Sequence, residues 1–184
     1  MRYLFHSEQW LPQPIERIFA FFANPENLPR IMPKSQGVRI EEASFAPPPP
    51  RPNVPGVSPR LGGVIAGPGT HITLGYRPFP YAFFRLPWEL EVTEFEWNSH
   101  FSDLQLRGPF AYWNQIHSFE AQTRTPESGI LTPGTLIRDD IEYELPFGKL
   151  GELAQRLIVA RQLRSLFAHR RDRLRELFGG FATR

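Results

Sequence analysis

With 184 residues, 41% of them hydrophobic and 14% aromatic, the chain is long enough for one domain with a sizeable core, and its composition excludes disorder throughout. A formal net charge of +2 is too small to imply a nucleic-acid partner, while a sequence pI of about 9.2 is compatible with weak contact with an anionic membrane surface. The absence of cysteine removes disulfides, thiolate metal sites and cysteine nucleophiles together.

The N-terminal stretch "MRYLFHSEQW" has charges where a signal peptide would need an apolar run, and "IFAFFA" is too short to span a bilayer, so a cytoplasmic protein is expected. Residues 2 to 11 alternate apolar and polar side chains at close to period two, the pattern of an opening strand with one wet face. The period then changes. Ile15, Ile18, Phe19 and Phe22 stand at i, i+3, i+4 and i+7 behind Pro14, which suits a first helical position. Asn24 and Pro25 break that helix and cap a second, short one presenting Leu28, Ile31 and Met32 before Pro33 ends it. Strand character resumes over 37 to 45. Residues 46 to 68 hold eight prolines and several glycines, which sustain neither a helix nor a central strand, so a mobile surface loop is expected there.

Further strands are expected at 70 to 77, 88 to 97, 101 to 107, 112 to 122 and 134 to 145, with connections short enough to make them antiparallel. From Gly148 to Phe178 the period returns to 3.6, with Leu150, Leu153, Leu157, Ala160, Leu163, Phe167, Leu174 and Phe178 on one broad stripe. A sheet of six or seven strands needs its apolar face covered, and this terminal helix is the only element long enough to do it. The result is a single α+β domain over 1 to 184.

The segments "QWLPQPIERIFAFFANPENLPRIMP", "LRGPF", "HSFE" and "GTLIRDDIEYELPFGKLG" carry a resemblance to the START-related SRPBCC superfamily. Within it the chain resembles bacterial ligand-binding proteins related to polyketide cyclase/dehydrases. The resemblance implies the helix-grip fold, a curved antiparallel sheet wrapped around a long C-terminal helix with a cavity between them. Residues 46 to 68 then enlarge the connection between the second and third strands. No catalytic signature transfers with the resemblance, and no cofactor is implied.

The strand "GTLIRDDIEYELP" separates into Ile137, Asp139, Ile141, Tyr143 and Leu145 on one face and Arg138, Asp140, Glu142 and Glu144 on the other. The first face is the inner one. Asp139 is therefore a carboxylate among apolar neighbours and requires a partner. The preceding strand turns Trp113, Gln115, His117, Phe119 and Ala121 inward, and a regular hairpin sets His117 opposite or diagonal to Asp139. For the strand 101 to 107 the parity stays open: either Asp103, Gln105 and Arg107 or Leu104 and Leu106 face inward. The resemblance suggests grouping Glu91, Asp103, Arg107, His117 and Asp139 at one end of the cavity.

His117 with Asp139 reads either as an acid–base or ligand-orienting pair or as a buried pair that fixes strand register. Phe19, Phe22, Trp88, Phe95, Trp97, Trp113, Phe119 and Tyr143 are candidates for a ligand-site lining, joined by Leu163 and Phe167 of the last helix; ordinary core packing is the plain alternative for each. No metal-ligand spacing, phosphate loop or nucleophile motif is present in the sequence. The arginines of "RQLRSLFAHRRDRLREL" read as a solvated helix face, or as a contact for anionic lipid. Three functions follow: binding of a hydrophobic or amphipathic small molecule, a cyclase-, dehydratase- or hydrolase-type enzyme using His117 and Asp139, or a protein-interaction or membrane-recruitment module.

Overall fold

The computed structural model describes residues 1–52, 63–79, 82–125, 129–146, 148, 151 and 155–179. Strand β1 (Arg2–Leu11) leads into helix α1 (Ile15–Phe22), a 3-10 turn and the short α2 (Leu28–Ile31). Then come β2 (Arg39–Ser44), β3 (His71–Tyr76), β4 (Leu86–Glu96), β5 (His100–Arg107), β6 (Tyr112–Arg124) and β7 (Thr132–Glu144). A π-helical turn over Gln155–Val159 opens the terminal helix α3 (Ala160–Phe178).

All seven strands form one antiparallel sheet in the order β1-β7-β6-β5-β4-β3-β2. Five hairpin steps carry the chain across the sheet from β2 to β7. The first strand then lies against the last, with Arg2 opposite Glu144 and Leu11 opposite Thr135. Period-two alternation decides which side of this sheet is dry: Phe5, Ser7, Gln9 and Leu11 of β1 point in, while Leu4, His6 and Glu8 are exposed. The outer face is laced by cross-strand ion pairs such as Arg138 with Glu120 at 2.8 Å, each worth little because it stands in water.

Helix α1 buries Ile18, Phe19 and Phe21, and α3 buries Leu163, Phe167, Arg170, Leu174 and Phe178 at spacings of three and four. The end of α3 is fastened to the first turn of the chain: Gln13 Nε2 donates to the Phe178 carbonyl at 2.9 Å, and Thr135 Oγ1 donates to the Gln13 carbonyl at 2.8 Å. Leu157, expected on the apolar stripe, is exposed, and Val159 packs against the inner aromatics instead. Counting back from Leu163 at α-helical spacing reaches 159 and 160, not 157, and the wider π turn does not restore Leu157 to that face. Leu150 and Leu153 lie outside the described residues. The alternation of β6 also ends earlier than expected, with Ala121 exposed.

The core has two parts. One gathers around Phe19, whose ring meets Phe95, Trp97, Phe101 and Phe119 with centroids 5.2 to 6.0 Å away, and extends to Leu174 and Phe178. The other holds Trp113, Ile141, Tyr143, Leu163 and Phe167.

The described ends of the proline-rich connection are built into this fold. The Ala46 N–H donates to Thr70 Oγ1 at 3.0 Å, the Gly67 N–H to the Ala46 carbonyl at 3.0 Å, the Ala66 N–H to the Ala23 carbonyl at 2.9 Å, and Trp97 Nε1 to the Pro49 carbonyl at 2.8 Å. Residues 53 to 62, where the rest of the expected loop falls, lie outside the described residues. A Cβ added at Gly67 would come within 2.4 Å of the Pro47 carbonyl oxygen and 2.5 Å of Pro48 Cα, both backbone atoms. Gly67→Ala is therefore expected to destabilise the protein by about 1–3 kcal/mol, read as a lower Tm in thermal unfolding. An unchanged Tm would mean that the two limbs separate at no cost, as a mobile loop would.

Candidate functional site

Between the sheet, the α1–α2 segment and α3 lies a cavity of about 370 Å³. Strands β3 and β4 contribute Ile72, Leu74, Leu90 and Val92, α2 contributes Leu28 and Ile31, and α3 contributes Leu163, Leu166 and Phe167. Trp88 and Trp113 meet edge to face in its wall at 5.0 Å, and Phe110 tilts onto Trp113 at 4.7 Å. The apolar character follows from the inner positions of each strand falling on one side of the pleat. Tyr76 also reaches the cavity, its phenol pushed up to about 12 by burial, so it stays a neutral hydroxyl there.

One wall is polar. Residues Asp139 and His117 lie directly opposite one another on β7 and β6, with Ser7 opposite Asp139 on β1. Oxygen Oδ1 of Asp139 accepts from Gln115 Nε2 at 2.9 Å and lies 2.6 Å from His117 Nδ1, a close charge contact not aligned as a linear hydrogen bond. The Arg170 guanidinium approaches the same oxygen at 3.8 Å from α3, and Asp103 Oδ2 stands 3.3 Å from His117 Nε2. Gln115, His117, Asp103 and Arg170 reach the cavity, whereas Asp139 sits behind them. The parity of β5 is thereby settled: Asp103 pairs with Gln115 and Phe101 with His117, so both face the inner side.

Burial alone would lower the imidazole pKa of His117, but the Asp139 and Asp103 carboxylates outweigh it and hold it above the ordinary histidine value. Burial alone would raise Asp139; the Arg170 charge, followed by His117 and Gln115, holds that carboxyl below the ordinary range. The cluster thus favours the charged form of both groups.

The candidate residues divide into three sets. Phe22, Trp88, Trp113, Gln115, His117, Leu163 and Phe167 line the cavity. Phe19, Phe95, Trp97 and Phe119 pack into the aromatic cluster at one end of the sheet, and Tyr143 is buried in the other core with its hydroxyl accepting from Gln155 Nε2 at 2.7 Å. Arg107 stands outside: its side chain is 73% exposed and paired with Glu89 at 3.4 Å, because a bulge that sets Glu89 opposite Arg107 but Leu90 opposite Gln105 leaves Leu106 as an extra residue and turns Arg107 to the outer face. Glu91, grouped with it, is 3.9 Å from His71 and does not join the polar wall.

Arg170 was missed. The arginines of α3 do not all form a solvated face: Arg170 is only 6% exposed, because it falls between Phe167 and Leu174 on the buried stripe. Its place in that spacing was the available signal. Among the described residues no group of His, Asp and Glu side chains is arranged to hold a metal ion, and no helix is long and apolar enough to cross a membrane.

A curved seven-stranded antiparallel sheet gripping a long C-terminal helix, with short helices after the first strand, is the helix-grip fold of the START-related SRPBCC and Bet v 1-like proteins. Solved structures similar to this chain include norcoclaurine synthase from Thalictrum flavum in complex with dopamine and hydroxybenzaldehyde, with 13% identity, 96% of this chain and 88% of that one covered, and a TM-score of 0.53. The protein TTHA0849 from Thermus thermophilus matches with 16% identity, coverage of 95% and 99%, and a TM-score of 0.55. Ginseng major latex-like protein 151 from Panax ginseng matches with 8% identity, coverage of 96% and 97%, and a TM-score of 0.54. No family model and no curated protein matches the sequence. At these identities the likeness is one of fold.

The polar wall makes stability depend on pH from both sides. Asp139 has a folded pKa below its unfolded one of about 3.9, so its contribution is complete above that value and is lost as pH falls through the lowered one. His117 has a folded pKa above its unfolded one of about 6.5, so its contribution is complete below that value and is lost as pH rises through the raised one. Urea midpoints measured from pH 3 to 9 should therefore be highest between about 4 and 6.5, and His117→Gln should flatten the alkaline decline. An equal alkaline decline in that variant would mean that another group titrates.

Proposed function

We propose that the protein binds a hydrophobic or amphipathic small molecule between the sheet and α3. The observation that carries this reading is the cavity of about 370 Å³, apolar on most sides and polar on one. Small-molecule sites typically measure about 300–1,000 Å³ and combine mostly apolar walls with a few fixed polar groups. The complex of norcoclaurine synthase with dopamine and hydroxybenzaldehyde adds an example of small aromatic molecules held by a protein of this fold.

Acid–base catalysis by His117 and Asp139 is the less favoured reading, for a geometric reason. A general base needs a free nitrogen facing the substrate. Both ring nitrogens of His117 stand against carboxylates, Nδ1 against Asp139 and Nε2 against Asp103, and both carboxylates favour the protonated ring. Asp139 itself does not line the cavity. The cluster is better suited to fixing the wall and orienting a ligand than to turning one over.

Nile red, a neutral apolar dye, is expected to bind with enhanced fluorescence. Leu166→Trp, which adds bulk at a half-buried lining position, should weaken that binding strongly while far-ultraviolet circular dichroism stays unchanged. Dye binding unaffected by this substitution would place the dye elsewhere and count against the cavity as the site. Turnover of an aromatic ketone or ester that disappears in His117→Asn, with dye binding intact, would favour the enzyme.

A further inference from the structure

Arg170 presents a problem that its neighbours do not solve. The side chain is buried against Phe167 and Phe22, with Cζ 4.8 and 5.8 Å from the two ring centroids, and it lines the cavity. A guanidinium carries five N–H donors and strongly favours acceptors held in its plane. Among the described residues no oxygen accepts a hydrogen bond from it: Asp139 stands 3.8 Å from Nη1, and Nε is buried without a partner. The near oxygen of Asp139 is already engaged by Gln115 and His117. Aromatic faces attract the cation but do not accept its N–H bonds in line.

We infer that the ligand carries a single carboxylate, received by the Arg170 guanidinium, with its apolar body lying along the Trp88 and Trp113 side of the cavity. This rests on the binding reading above. A carboxylate matches the guanidinium fork with two parallel charge-assisted hydrogen bonds, which a hydroxyl or an ester carbonyl does not. The rest of the wall limits the charge to one. Asp139 lies beside Arg170, and Asp103 is on the same wall, so the second negative charge of a phosphate monoester would meet carboxylates rather than donors. On the other side of the cavity Leu74, Leu90, Val92 and Trp88 offer apolar contact suited to a hydrocarbon or ring system.

Displacement of Nile red by decanoate, decan-1-ol and decyl phosphate compares three heads on one tail. Wild type should prefer decanoate over decan-1-ol by roughly tenfold or more, the factor expected for charge-assisted hydrogen bonds in a dry site, and over decyl phosphate as well. Removing the arginine alone would strand the buried Asp139 charge, so the informative variant is the pair Arg170→Met with Asp139→Asn, which takes out both charges. It should still bind decan-1-ol and should lose the preference for the acid; Arg170→Lys should keep part of it. Equal or tighter binding of decan-1-ol or decyl phosphate by wild type would overturn the carboxylate assignment while leaving the binding site in place, as would an acid preference that survives in the folded double variant. Failure of Nile red and all three displacers to bind wild type would remove the binding reading itself, and the carboxylate with it.

Discussion

A carboxylate on the dry face of a sheet strand has to be neutralised by other elements, and Asp139 is neutralised by two. Gln115 and His117 come from the neighbouring strand, and Arg170 from the helix across the interior. Burying such a charge without partners costs several kcal/mol, so these elements are tied together more specifically than by apolar contact. Hydrophobic packing tolerates a helix that turns by a fraction of a residue. The buried charge of Asp139 additionally requires Arg170 to stay near it, at 3.8 Å.

The polar groups form a layer. Ser7 and Gln9 on β1, Asp139 on β7, Gln115 and His117 on β6, and Arg170 and Arg171 on α3 cross the interior between the two apolar cores. Arg171 continues it to the sheet edge, its Nη1 donating to Ser7 Oγ at 3.1 Å and its carbonyl accepting from Gln9 Nε2 at 2.9 Å. On one side of the layer the rings around Phe19 fill the space between α1 and the sheet; on the other, Trp88, Trp113, Leu163 and Phe167 stand around the cavity. The cavity thus has a floor of fixed charge and amide and walls of ring and branched aliphatic. Apolar side chains cannot close over that floor without stripping its charges of their remaining neighbours.

Much of this was legible from periodicity. The alternation in "GTLIRDDIEYELP" places Asp139 inside, and the hairpin set His117 against it, because register on a half-buried sheet is strongly constrained. The position of Arg107 was not legible, since a bulge between Glu89 and Leu90 and the exposed end of β5 are set by twist and neighbours, not by its own sequence. Nor was the division of the aromatics between packing and lining: Phe19 and Phe22 share one helix face, yet only Phe22 reaches the cavity. That depends on how far the sheet curves, a property of the whole. Arg170 was readable from its spacing on α3 but lay hidden among the arginines around it.

The pairing of β1 with β7 has a consequence for how the chain acquires its shape. Within this fold the earliest strand to be synthesised has its partner more than 120 residues away, and the helix that covers the sheet follows later still. Until residues 132 to 144 emerge, β1 offers unsatisfied amides and carbonyls to any other extended segment, a standing invitation to misassociate. Its outward-facing Arg2, His6 and Glu8 reduce that hazard, since a foreign strand docking there would have to set its own side chains against them. The chamber is sealed last, by the segment that brings the guanidinium.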